Sequence, residues 1–144
     1  MALIGLIAAL LLPFGAVFAQ PATDPAQPPI PPIVWELVEY TEAGGPSIPI
    51  ADPSRYTLQF LADGVLVAGL DCNHGGGSYT AANGVISVSP LMSTLIGCPS
   101  DSQVEPFVRL LEAAATYQID ADGLLVLHGP EGELRLRPSL AGTA

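Results

Sequence analysis

The chain contains no lysine. Its only side-chain cations are four arginines and two histidines, set against fourteen acidic residues for a formal charge of −10. A surface of that sign repels phosphate backbones and anionic lipid headgroups, which argues against nucleic acid and membrane surfaces as partners. Charged residues of both signs make up only 12% of the sequence, whereas glycine and proline number fifteen each. That balance fits a turn-rich β protein better than a helical one. Cysteine is scarce too, with Cys72 and Cys98 the only two and no Cys-x-x-Cys spacing of the kind metal sites favour. Tryptophan occurs once, as Trp35. An indole buries so much area that a core anchor is the expected role, ahead of a binding-surface aromatic.

What is present falls into a clear order. Residues Ala2 to Ala19 carry no charge and end in Val17-Phe18-Ala19 before Gln20, with small residues at the −3 and −1 positions of a cleavage site. The expectation is a signal peptide over residues 1–19 and a mature chain beginning at Gln20. The competing reading is an uncleaved membrane anchor, which Pro13 would interrupt. Residues 20–32 hold six prolines in thirteen positions and read as a semi-extended linker. Residues 33–138 form the expected domain, large enough for one hydrophobic core, and 139–144 are a tail.

Within that domain, residues 34–40 alternate as a first strand, with Val34, Glu36, Val38 and Tyr40 on one face and Trp35, Leu37 and Glu39 on the other. Asp63-Gly64, Asn83-Gly84, Asp122-Gly123 and Gly129-Pro130-Glu131-Gly132 each separate two apolar runs. Such pairs tolerate the positive φ that tight hairpins need, so four successive hairpins are predicted. The fold class is mainly β, a small antiparallel meander curled into a barrel-like sheet with one α-helix packed on it. The helix follows Pro99, where Phe107, Leu110, Leu111 and Ala114 fall at helical spacing. Ser102 and Glu105 have the form of a capping box, though Pro106 requires a start near Gln103 or Glu105. Glu105 and Arg109 are four apart and should pair on the outer face.

The segment Asp71-Cys72-Asn73-His74-Gly75-Gly76-Gly77-Ser78-Tyr79, followed by Thr94-Leu95-Ile96-Gly97-Cys98, resembles the signature of the META-domain family. Trp35-Glu36-Leu37, the aromatic strand Tyr56 to Phe60, the short helix and Tyr117-Gln118-Ile119 complete the likeness over roughly residues 33–138. The motif residues are Trp35, Asn73, Gly77, Tyr79 and Thr94. Asp71 departs from the glycine usual before that cysteine, and the N-terminal stretch has no cysteine for the lipid that many bacterial members carry. The resemblance implies a small β domain of the cell envelope, associated with stress or drug tolerance. It implies no catalytic residue.

Chemistry read from the residues themselves stays sparse. Cys72 and Cys98, an even pair in a chain expected to be exported, favour a disulfide. Two buried thiols, or a metal held by Cys72, His74, Cys98, Asp71 and His128, are the alternatives. Gly75–Gly77 lacks the lysine and helix of a phosphate loop and reads as a flexible turn. Asp71, His74 and Ser78 could form a hydrolytic triad on composition alone, without the strand–turn–helix context a nucleophile needs. His128 reads as a surface or half-buried residue. The function expected is a non-enzymatic, monomeric binding or structural module without cofactor or metal. It would be periplasmic or extracellular, not inserted in the membrane once cleaved, with an envelope or extracellular protein as partner. The alternative is a secreted inhibitor or partner-binding module acting through loops 41–53 and 74–77.

Overall fold

The computed structural model describes residues 27–140. The expected signal peptide, the linker up to residue 26 and tail residues 141–144 lie outside them. The elements run β1 (Val34–Glu42), β2 (Ser47–Pro49), a 3-10 turn (Pro53–Arg55), β3 (Tyr56–Phe60), β4 (Val65–Leu70), β5 (Asn73–Ala82), β6 (Val85–Val88) and β7 (Met92–Ser93). They continue with α1 (Val104–Glu112), β8 (Thr116–Ile119), β9 (Leu125–Gly129) and β10 (Gly132–Pro138). Eight strands close into an antiparallel barrel in the order β1, β3, β4, β5, β6, β8, β9, β10, with β10 pairing back to β1. Closure leaves no long free edge. The seam between β6 and β8 is held by a single residue pair, Val85 with Thr116.

The four predicted hairpins are present. Asn83 and Gly84 both take positive φ, 52° and 82°, the two-residue turn that matches strand twist. At Asp63-Gly64 and Asp122-Gly123 only the glycine does, with φ 83° and 79°. There the chain makes a tight turn, Gly64 N donating to Leu61 O and Gly123 N to Asp120 O, before the strand resumes.

The first strand departs from simple alternation. Its register against β10 shifts between Leu37 and Glu39. That bulge carries Tyr40 onto the inner face with Trp35 and Leu37, so Tyr40 is buried and the expected grouping with Val34 is corrected. Glu36, on the outer face, is also buried and held by Arg137 and by the Ser139 hydroxyl, which donates to it at 2.7 Å.

The core fills the barrel with Trp35, Leu37, Tyr56, Leu58, Phe60, Leu66, Leu70, Tyr117, Leu125, Leu127, Leu134 and Leu136. α1 brings in Phe107, Leu110 and Leu111 at the end of the barrel where β3 begins, Phe107 meeting Tyr56 edge-on at 5.8 Å. The capping box does not form. The cap is Gln103, whose side chain makes no capping bond. Its backbone N–H donates instead to the Tyr56 hydroxyl at 2.8 Å, and its amide oxygen accepts from the Tyr40 hydroxyl at 2.7 Å. A helix start at Val104 puts Pro106 in the first turn, where no intrahelical N–H bond is lost. Glu105 and Arg109 pair at 3.4 Å as expected. Toward the opposite end, the Trp35 indole donates to Pro31 O and Gln59 to Pro32 O. Ile30 is buried there with the core, so the end of the proline-rich stretch is packed against the domain.

Candidate functional site

β4 and β5 pair from Leu70 with Asn73, which leaves Asp71 and Cys72 as a two-residue turn. Asp71 has φ 61°, a left-handed conformation in which glycine is unstrained and aspartate is among the tolerated residues. Its carboxylate takes both prongs of Arg55, Nε at 2.7 Å and Nη2 at 2.8 Å. The same guanidinium reaches Asp101 at 3.0 Å, so one side chain ties the start of β3, the β4–β5 turn and the approach to α1. Bonding to Arg55 holds the carboxyls of Asp71 and Asp101 below the usual aspartate range.

Cys72 and Cys98 form a disulfide, with Cα atoms 5.4 Å apart. Both sulfurs are thereby consumed, which removes the free-thiol and metal readings. Beside the bond lies Asn73, one of two buried polar side chains found among the described residues. Its oxygen accepts from the Thr94 hydroxyl and from Ile96 N, both at 2.8 Å, and its amide nitrogen donates to Ile96 O at 2.9 Å. That nitrogen also lies 3.4 Å and 3.3 Å from the two sulfurs. Asn73 thus binds the backbone of residue 96 as a neighbouring strand would. Thr94 N donates to His74 O, and the Thr94 hydroxyl accepts from His74 N.

These bonds lay residues 91–98 as a strap along the upper half of β5, where β6 has already ended. The Gly75–Gly77 run is not the expected turn. It is strand, paired with β4 on one side and, at Gly75 and Gly76, with β7 on the other. A Cβ on Gly75 would come within 2.7 Å of Met92 O, one on Gly76 within 2.5 Å of Leu66 O, and one on Gly77 within 2.7 Å of Ser89 Oγ. At Gly75 and Gly76 glycine is required because backbone oxygens approach that closely. Residues 74–77 are therefore no loop for a partner, whereas 41–53 is mostly exposed and carries β2.

The strap carries large apolar residues outward. Leu95 is 95% exposed, Met92 83% and Ile96 64%. Of the motif residues, the structure brings Asn73 and Thr94 together at the disulfide, with Gly77 further along the same strand. Trp35 and Tyr79 belong to the core packing instead. Trp35 is 2% exposed, and Tyr79 stacks edge-on with Phe60 at 5.0 Å while its hydroxyl donates to Leu61 O at 2.7 Å. Asp71, His74 and Ser78 are not linked by any hydrogen bond found among the described residues, and Asp71 is committed to Arg55. His128 is exposed and lies 3.8 Å from Glu133.

The sequence profile of the META domain matches residues 30–139. The chain belongs to the META domain family. Two solved structures share its fold. One is the NMR structure of a protein from Burkholderia xenovorans, with TM-score 0.61 and 19% identity, covering 85% of this chain and 99% of that one. The other is the crystal structure of a DUF4847 family protein from Bacteroides vulgatus, with TM-score 0.55 and 16% identity, covering 74% of this chain and 92% of that one. No curated protein matches the chain. Among the described residues of this META domain, no helix is long and apolar enough to cross a membrane.

Proposed function

We propose that this META domain is an exported, monomeric, non-catalytic binding module that presents its disulfide-held strap to an envelope or extracellular protein. The observation that carries the reading is the exposure of Met92, Leu95 and Ile96 on a segment fixed by a disulfide and by the side chain of Asn73. Water-exposed apolar groups grouped in this way mark interaction surfaces. Holding them in one conformation before contact removes much of the ordering entropy that binding would otherwise cost. The disulfide fits an oxidising compartment. The association with stress or drug tolerance that the family likeness implies would fit a module that protects or engages a partner. Where that partner is an enzyme, the same contact, with loop 41–53 as a second surface, makes the domain an inhibitor.

The test places a photo-crosslinking amino acid at Leu95 and, separately, at exposed Val85 in the protein expressed in its own envelope. One discrete crosslinked species from position 95 and none from 85, abolished by Ile96→Ser and Met92→Ser in a fold with unchanged Tm, supports the reading. Equal or absent crosslinking from both positions overturns it.

A further inference from the structure

Every arginine among the described residues is already held by carboxylates. Arg55 meets Asp71 and Asp101, and Arg109 meets Glu42, Glu105 and Glu131. Arg135 meets Glu39, Asp120 and Glu133, and Arg137 meets Glu36. With no lysine in the chain, the described surface offers carboxylates and no unpaired lysine or arginine. Along α1 that surplus meets apolar ground. A groove of about 570 Å3 runs along α1, lined by Val104, Val108, Ala113, Arg109, Glu105, Glu112 and Glu131. Val104 and Val108 are half-buried, packed against the core on one side and open to the groove on the other. Glu112 also accepts from Leu91 N at 2.7 Å, which fixes the helix end against the strap. Around the groove, Glu42, Glu105 and Glu131 pair with the single guanidinium of Arg109, and Glu112 adds a fourth carboxylate to the lining, a formal excess of three negative charges.

We propose that this groove docks a cationic segment of a partner protein. An aliphatic side chain of the segment seats on Val104 and Val108, and flanking lysines or arginines meet Glu105, Glu112 and Glu131. Charge complementarity selects the occupant. A second copy of this chain cannot supply the cations, because it has no lysine and the same four arginines engaged. An anionic bilayer is repelled. The apolar floor distinguishes the site from a simple carboxylate cluster that would hold a small cation. The strap residues Met92, Leu95 and Ile96 do not line the groove, so this inference stands or falls separately from the strap.

The experiment titrates the full mature protein with a fluorescein-labelled amphipathic peptide of leucine and lysine, followed by anisotropy and by amide chemical shifts of the labelled domain. Saturable binding is expected, with shifts confined to the region of Val104–Ala113 and Glu131. Affinity should fall about tenfold or more from low to physiological salt, as exposed charge pairs are screened. The same peptide with serine for leucine should bind at least about tenfold more weakly, since it has no aliphatic group to seat on Val104 and Val108. A peptide with glutamate for lysine should not bind. Glu112→Gln with Glu131→Gln should weaken binding about fivefold or more, and Leu95→Ser with Ile96→Ser should leave it unchanged. Equal binding of the serine peptide, binding of the glutamate peptide, or shifts centred on Thr94–Cys98 would each overturn the proposal. Should the double glutamine variant fail to fold, the shift map and peptide series on the parent protein still decide.

Discussion

Asn73 does more than any other single side chain to hold the candidate site. It is buried, and both ends of its amide are bound to the strap, so removing it strands several groups at once. Asn73→Ala leaves Ile96 N–H and the Thr94 hydroxyl without their acceptor beside the intact disulfide. These bonds are part-buried, and at about 0.5–1.5 kcal/mol for each a total loss of about 1–3 kcal/mol is expected in the urea midpoint with an unchanged slope. An unchanged midpoint would mean that the disulfide alone positions the strap. Asp71 allows a sharper test, because asparagine tolerates the same left-handed φ while removing the charge and one of the two oxygens that accept from Arg55. Bonding to Arg55 lowers the folded-state pKa of Asp71 below its ordinary 3.8. The stabilisation is therefore fully present above that ordinary value and is lost as pH falls through the lowered one. Asp71→Asn should melt below the parent at neutral pH and approach it under strong acid. A constant difference down to pH about 2 would show that the charge is not what matters. Asn73 was legible in the sequence only through the family likeness. Nothing in its composition or spacing says that an asparagine beside a cysteine will bind a segment more than twenty positions on.

Local rules worked where the cause of an element is local. The Asp-Gly and Asn-Gly hairpins were readable because positive φ is a property of the residue pair itself, and α1 because its Phe107, Leu110 and Leu111 stripe is periodic. They failed where a second element supplies the reason. The bulge in β1 that turns Tyr40 inward is a matter of register with β10, and at the start of α1 Tyr56 takes the Gln103 N–H while Ser102 reaches Val104 N and not Glu105. The glycine run is the clearest case. Read alone it signals a flexible turn, but in the fold it is the stretch of β5 squeezed between β4 and the strap. Gly76→Ala would place a methyl 2.5 Å from Leu66 O. Overpacking of this kind costs about 1–3 kcal/mol, more than the 0.4–1 kcal/mol or so gained by restricting the unfolded chain. Gly97 has nothing within 4 Å of its would-be Cβ, so Gly97→Ala should be neutral or slightly stabilising. The two variants compared by thermal melting separate close approach from flexibility. Equal effects would restore the turn reading.

At the scale of the molecule, the strap and α1 form one continuous excursion from the barrel, residues 91–112, in which the helix is held by its buried Phe107, Leu110 and Leu111 and the strap is attached at few points. The start of the strap is held by Glu112 and by β7, its end by Asn73 and the Cys72–Cys98 bond, and the following segment by Arg55 through Asp101. The barrel itself closes through β1 and β10, far along the chain from the cysteines, and its hairpins do not depend on the disulfide. The cysteines are separated by 26 residues, and in the chain-entropy treatment a loop of that size contributes about 3.5 kcal/mol. For a domain whose whole stability lies at about 5–15 kcal/mol, reduction should lower Tm clearly without abolishing the fold. The loss should also be uneven. Amide exchange is expected to accelerate first at Thr94–Ser102, next at the first turn of α1, where Gln103 meets Tyr56 and Tyr40, and last in β1, β9 and β10. Cys72→Ser with Cys98→Ser should reproduce that pattern without reductant. Uniform acceleration across barrel and strap would instead show that the bond acts only on global stability, and the strap would then not be a separately held element.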